Sequence, residues 1–269
     1  MKKVIPLSLV FLCVLAVPAS AFHLVVRTST QLAPGATGTV TASCPSGQHA
    51  ALAGVAAQFD LGAANQGVFP TNMSLSTARH VIANGQNIGT APGSLTAVAY
   101  CDAGANPGRT TVSHTVSVAA QGGGAATATC PAHTVLIEGG FHAPAAAEIL
   151  LTRLERTSAT AWRVAARNFT TGAVPLTAIA YCGAGPVPQL ARALAAPAVG
   201  WQPFNVTAVC PAHTRLLFGG LRATNYGPGV DPIIVVPFAF AATSNQSWRV
   251  DAFAGLTGGG SVEALAYCR

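Results

Sequence analysis

Charge is scarce in this chain. Only 8% of its 269 residues are Asp, Glu, Lys or Arg, against about a quarter in an average soluble domain. Both lysines, Lys2 and Lys3, stand at the extreme N-terminus, and no lysine follows them. The remaining cations are twelve arginines against eight acids, a net charge of +4. These arginines are scattered singly from Arg27 to Arg269, with little aromatic interleaving. That pattern argues against a nucleic-acid-binding face, which needs clustered basic residues. Ala, Gly, Thr and Ser fill the space that charge leaves, and such a weakly charged surface tolerates close contact with another surface.

Catalytic signatures are also missing. There is no His-Glu-x-x-His, no Gly-x-Ser-x-Gly and no Walker loop. Gly183-Ala184-Gly185 runs into Pro186-Val187-Pro188, which makes it a linker and not a phosphate-cradling turn. The eight acids do not recur at matching places in the chain. A two-carboxylate hydrolase would have to draw its acids from distant loops. No Cys-x-x-Cys pair is present to hold a metal. The expectation is therefore a non-enzyme without cofactor or metal.

Long apolar runs are confined to the first residues. Lys2 and Lys3 precede an apolar stretch from Ile5 to Val17, and Ala19-Ser20-Ala21 supplies a small-residue cleavage site. Residues 1–21 thus read as a secretory leader that carries Cys13 away with it. The stretch is short for a membrane span, and no second one follows. The expected product is exported, extracellular or periplasmic, with no span in the mature chain.

What is present is a frame repeated three times. Each copy opens with Cys-Pro, at Cys44-Pro45, Cys130-Pro131 and Cys210-Pro211. Each closes with Ala-Tyr-Cys, at Cys101, Cys182 and Cys268. Between them a strand ends in Ala53-Gly54, Gly139-Gly140 or Gly219-Gly220. Counting back from the closing cysteine aligns Trp162 with Trp248 and with Val81, so the first copy has lost the tryptophan. The units span residues 22–107, 108–185 and 186–269, about six strands each, with an apolar period of two and no helix signal. Period two places both cysteines of a unit on alanine-lined faces. It also sends Trp162 and Val164 inward and Arg163 outward. The tryptophans read as core anchors.

The sequence Cys-Pro-x-x-Thr … Gly-Gly … Trp-x-Val … Ala-Tyr-Cys resembles a repeat of secreted bacterial proteins that are mostly uncharacterised. The resemblance covers nearly the whole chain after the leader and implies a secreted β-rich protein; no active site comes with it. In those repeats a glycine usually follows Cys-Pro-x. Gly47 keeps it, while His133 and His213 replace it.

Six cysteines allow fifteen pairings, but repetition favours one bond per copy: Cys44–Cys101, Cys130–Cys182 and Cys210–Cys268. The expected fold is all-β, a pseudo-threefold prism-like assembly with one sheet per repeat; three small sandwiches in tandem are the alternative. His133 and His213 pad a surface turn in this reading. Recognition is expected in the length-variable segment before the fourth strand, because loops on a rigid scaffold carry specificity. Asn225, Tyr226 and Asp231 stand there in the third copy, and Asp60, Asn65, Gln66 and Asn72 in the first. The expected role is structural or adhesive, through a surface polysaccharide or self-association. A lectin-like module and a hydrolase with dispersed carboxylates are the alternatives.

Overall fold

The structure is a computed structural model that describes residues 24–60, 66–103, 108–195, 202–224, 235–254 and 260–269. Among the described residues there are strands and no helix. The first copy supplies β1 (Leu24–Leu32), β2 (Thr37–Ser43), β3 (His49–Ala57), a short β4 (Phe59–Asp60), β5 (Gln66–Leu75), β6 (His80–Asn87) and β7 (Gly93–Asp102). The second supplies β8 (Thr110–Val118), β9 (Gly123–Thr129), β10 (Val135–His142), β11 (Ile149–Arg156), β12 (Ala161–Asn168) and β13 (Val174–Gly183). The third supplies β14 (Gln189–Ala195), β15 (Gln202–Val209), β16 (Leu216–Thr224), β17 (Val235–Ser244), β18 (Ser247–Ala254) and β19 (Ser261–Cys268). Apart from β4, which among the described residues only the first copy has, each copy has the six strands that its alternation predicts.

The strands form three antiparallel sheets. Their orders are β1-β7-β3-β17-β18-β15 (sheet 1), β2-β6-β5-β10-β13-β8 (sheet 2) and β14-β19-β16-β11-β12-β9 (sheet 3). The prism-like, all-β expectation holds, but its one-sheet-per-repeat detail does not. Every sheet is half one copy and half another. Each copy splits into two three-stranded leaves, and each leaf continues edge-on into a leaf of a different copy. Period-two patterning fixes which face a residue takes, and it is silent about which neighbour a strand edge meets.

The joins between copies are short. β3 meets β17 at Val55↔Phe240, β10 meets β5 at Phe141↔Met73, and β16 meets β11 at Leu221↔Leu154. These six side chains are all buried. Two features of the repeated frame make the joins possible. The second glycine of the Gly-Gly pair is one. A Cβ on Gly140 would lie 2.6 Å from the Met73 carbonyl oxygen; on Gly54 it would lie 3.1 Å from Ala241 Cβ. Only a hydrogen there lets the strand of the next copy close in. The tyrosine of Ala-Tyr-Cys is the other. The Tyr100 hydroxyl donates to Ala242 O at 2.6 Å, the Leu75 N–H donates to Tyr181 Oη at 2.6 Å, and the Arg156 N–H donates to Tyr267 Oη at 2.8 Å. Leu75, Arg156 and Ala242 each stand two residues past the join residue of their strand. All three tyrosines therefore strap their own copy to the next one. Burial pushes their hydroxyl pKa values up, that of Tyr267 to about 12.

The first glycine of the pair serves the tryptophan. A Cβ on Gly139 would fall 2.1 Å from the Trp162 ring, and one on Gly219 would fall 1.9 Å from the Trp248 ring. Both indoles are fully buried, and Trp162 Nε1 donates to Gly140 O at 3.0 Å. The first copy has the smaller Val81 at the tryptophan position and can carry the Ala53 methyl, so its two departures from the frame compensate each other.

The three disulfides are the expected ones. Each joins the two leaves of one copy, and therefore two different sheets. Cys44 follows β2 of sheet 2, and Cys101 lies on β7 of sheet 1. Cys130 joins sheet 3 to sheet 2, and Cys210 joins sheet 1 to sheet 3. The alanines predicted beside them, among them Ala42, Ala99, Ala128, Ala180, Ala208 and Ala266, are buried. Closing loops of 57, 52 and 58 residues contributes about 4 kcal/mol per bond in the chain-entropy model. Such bonds belong to an oxidising compartment. No helix among the described residues is long and apolar enough to cross a membrane.

Candidate functional site

The inward faces of the sheets are nearly the same in all copies; the outward faces are not. Strand register identifies the matching outward positions on the fourth and fifth strands. Arg163, Ala165 and Arg167 of β12 correspond to Ile82, Asn84 and Gln86 of β6 and to Arg249, Asp251 and Phe253 of β18. Arg153 of β11, opposite Ala165, corresponds to Asn72 of β5 and Ala239 of β17. Each fourth strand carries a register shift beside that position, at Thr71, Thr152 and Phe238. A bulge bends its strand, so the outward face beside each join is locally shaped.

On sheet 3 this place is an open groove of about 490 Å³. Its floor is small, with Gly123, Gly124, Ala125 and Ala165, and its walls carry Thr152, Arg153, Arg163 and Arg167. No acid lines it. The acids of this face are already paired with arginines, and Glu155 stands opposite Arg163 in the ladder. Glu155 accepts from Arg222 Nε at 2.9 Å, and Arg222 Nη1 reaches Glu263 at 3.2 Å. Arg192 lies 3.6 Å from Glu263, and Arg153 Nη1 lies 3.4 Å from Glu155. The hydrogen bond to Glu155 holds the Arg222 proton more firmly than usual. Arg167 lays its guanidinium over the Phe169 ring at 5.3 Å. Arg163 has no carboxylate partner among the described residues.

On sheet 2 the same place is filled with amides and hydroxyls. Thr71 Oγ1, Asn72 Oδ1, Asn84 Oδ1 and Gln86 Oε1 are all buried without a hydrogen-bond partner. Asn72 and Asn84 face each other across the ladder, and Gln86 is two residues along on the same side. On sheet 1 the place is closed by phenylalanines. Phe59 sits 6.0 Å from Phe238 and 5.7 Å from Phe253, ring centre to ring centre. Phe69 joins this second apolar cluster, which draws on all three copies.

Of the expected ligand residues, Asn225, Tyr226, Asp231 and Asn65 lie outside the described residues. Asp60 is on β4, its backbone paired with Gln66 of β5. Asn72 belongs to the amide cluster. Asn84, Gln86 and the arginines of sheet 3 were not singled out by sequence. Their signal was present, as outward polar residues on strands whose inward residues repeat. Loops usually carry variation, whereas here strand faces carry it too.

The histidines of the Cys-Pro turn have a plain structural account. His133 and His213 are exposed and sit at φ of 64° and 66°, as Gly47 does at 80°. The turn needs a left-handed residue at this point, a conformation that glycine takes at least cost. Thr134 and Thr214 close the turn with hydroxyls donated to Pro131 O and Pro211 O at 2.7 Å. Among the described residues no three His, Cys, Asp or Glu side chains gather as metal ligands would. No protein-family model and no curated protein matches the sequence. The site is therefore read from its own chemistry.

Proposed function

We propose that the chain is an exported, non-catalytic protein that binds a surface through the outward patches beside its inter-copy joins. One observation carries this reading. A nearly invariant inward side supports three outward patches at equivalent places, and their linings differ in kind: arginines, amides and phenylalanines. A rigid frame with divergent faces suits recognition. The disulfides fit life outside the reducing cytoplasm, and the leader-like N-terminus supplies the route. Adhesion to a surface polysaccharide is the role that this arrangement fits best.

The amide cluster on sheet 2 favours a carbohydrate ligand in particular. Four buried acceptor oxygens without partners stand within a few residues of one another, and sugar hydroxyls are donors of matching size. An unsatisfied buried acceptor costs about 1–3 kcal/mol, which a donor admitted by a shift of the covering side chains would recover. The test is a glycan array probed with the disulfide-bonded protein and with Asn84→Leu. Binding of one or more glycans by the native protein, reduced in Asn84→Leu, supports the carbohydrate reading. Binding to surface material without binding to any glycan leaves adhesion and removes the sugar. Binding to nothing overturns both.

A further inference from the structure

We infer that the groove on sheet 3 is a binding site for an acidic polysaccharide, one whose sugars carry carboxylate or sulfate groups. The inference rests on the surface-binding reading above and narrows it to a ligand class at one site.

The geometry of the arginines selects an extended polyanion. Arg163 and Arg167 are four residues apart on β12, with Arg153 on β11 opposite the residue between them. Two residues along a strand advance about 7 Å, so the three cations form a zigzag with a step of that length over about 13 Å. A single small anion cannot touch both ends of such a row. A chain with an acidic group on successive sugars can. Arginine also presents the planar fork that matches carboxylate and sulfate oxygens, two bonds at a time.

The rest of the groove agrees. The small floor gives a ring-shaped sugar room to lie close to the strands. The Thr152 hydroxyl offers a polar contact beside the cations. Among the described residues no aromatic side chain lines the groove, and none there offers the stacking platform that single-stranded nucleic acids use. The arginines are not a requirement of the repeat. Their counterparts are Asn72, Ile82 and Gln86 in the first copy and Ala239, Arg249 and Phe253 in the third. Of these, only Arg249 is basic, and it is held by Asp251, with Nε 2.7 Å from Oδ1. Arg163 is the unneutralised member of that pair of equivalents.

The test measures binding of the full disulfide-bonded protein to immobilised polygalacturonate, sulfated dextran, neutral dextran and duplex DNA. It compares the native protein with Arg163→Gln and Arg249→Gln, each checked for native circular dichroism. The native protein should hold one or both acidic glycans in a salt-sensitive manner, and the two acidic matrices tell carboxylate from sulfate. Arg163→Gln should weaken that binding about tenfold, as loss of one charge-assisted contact does. Arg249→Gln removes the same charge at the equivalent place and should have little effect. Equal losses in both variants would mean diffuse attraction and overturn the site. So would DNA held as tightly as the glycans. Neutral glycan binding that persists in Arg163→Gln, with no affinity for acidic glycans, sinks this inference and spares the function proposed above. No affinity for any glycan sinks this inference and the carbohydrate reading together.

Discussion

The pairing of the first frame glycine with the tryptophan can be tested by converting the second copy to the chemistry of the first. Gly139→Ala places a methyl 2.1 Å from the Trp162 ring, about 1.5 Å inside ordinary contact. The ring has no slack, being fully buried and hydrogen-bonded to Gly140 O. Overpacking of this kind costs about 3 kcal/mol, the upper end of its usual range. Trp162→Val leaves a cavity and an unpaired Gly140 carbonyl, and should also cost about 3 kcal/mol, near the low end for removing a buried aromatic. Were the sites independent, the double variant would lose about 6 kcal/mol, a large part of the stability of an ordinary domain. The first copy tolerates Ala53 with Val81, so the double variant should instead lose about 3 kcal/mol, the cavity alone. The coupling is then about 3 kcal/mol, far above the few tenths seen for unlinked sites. Urea unfolding of the oxidised protein, run as a double-mutant cycle, reads it directly. Additive losses, or a Gly139→Ala variant as stable as the native protein, would refute the steric argument.

Three further outcomes follow from the same structure. Tyr181→Phe removes the strap to Leu75 and leaves its N–H without that partner, so it should cost about 1–3 kcal/mol in urea unfolding; no loss would mean that the join does not need the strap. Glu138 is buried between copies, accepting from Ala53 N at 2.7 Å and lying 3.3 Å from Arg109, and burial raises its pKa from 4.5 to about 7. A carboxyl with a raised folded pKa contributes stability fully below about pH 4.5 and loses it as pH climbs through about 7, a change of about 3 kcal/mol. Glu138→Gln should therefore flatten the pH 4.5–8 stability profile, and an unchanged slope would count against the buried carboxyl as its source. His133→Gly should raise stability by up to about 1 kcal/mol, because it relieves a left-handed residue with a side chain; a loss would show that the imidazole makes a contact of its own.

The sequence frame was more legible than the way it is assembled. Cysteine pairing, strand count, the inward tryptophans and the alanine-lined faces all follow from repetition and a period of two. The exchange of leaves does not, because edge pairing depends on which backbones can approach, and a sequence shows that only through small residues. Gly54, Gly140 and Gly220 were visible as strand ends but carried no hint that another copy's strand would press against them. Tyr100, Tyr181 and Tyr267 were visible as markers and turn out to be ties. At the site, loop position points to Asn225, Tyr226 and Asp231, whereas alternation gives Arg163 only an outward direction. An outward arginine on a strand is ordinarily a solvated residue. What distinguishes Arg163 is that its neighbours Ala125 and Ala165 are small and that Glu155 is turned toward Arg222. Neither fact can be read from spacing.

The interlaced sheets also bear on how such a protein can diversify. In a solenoid each repeat touches its neighbours through stacked faces, and outer and inner residues change together with the repeat. Here a copy excised alone would expose the join edges of both its leaves, at Val55 and Met73 in the first copy, together with their buried side chains. The three copies are thus bound to one another through the Gly-Gly joins and the tyrosine straps, and the two leaves of each copy are bound by its disulfide. Asn84, Ala165 and Asp251 occupy one equivalent position and carry an amide, a methyl and a carboxylate. Constraint and freedom are separated by the pleat of the strand itself, residue by residue. That separation lets one frame carry three unlike outward patches, and it places the search for ligands on the strand faces as well as the loops.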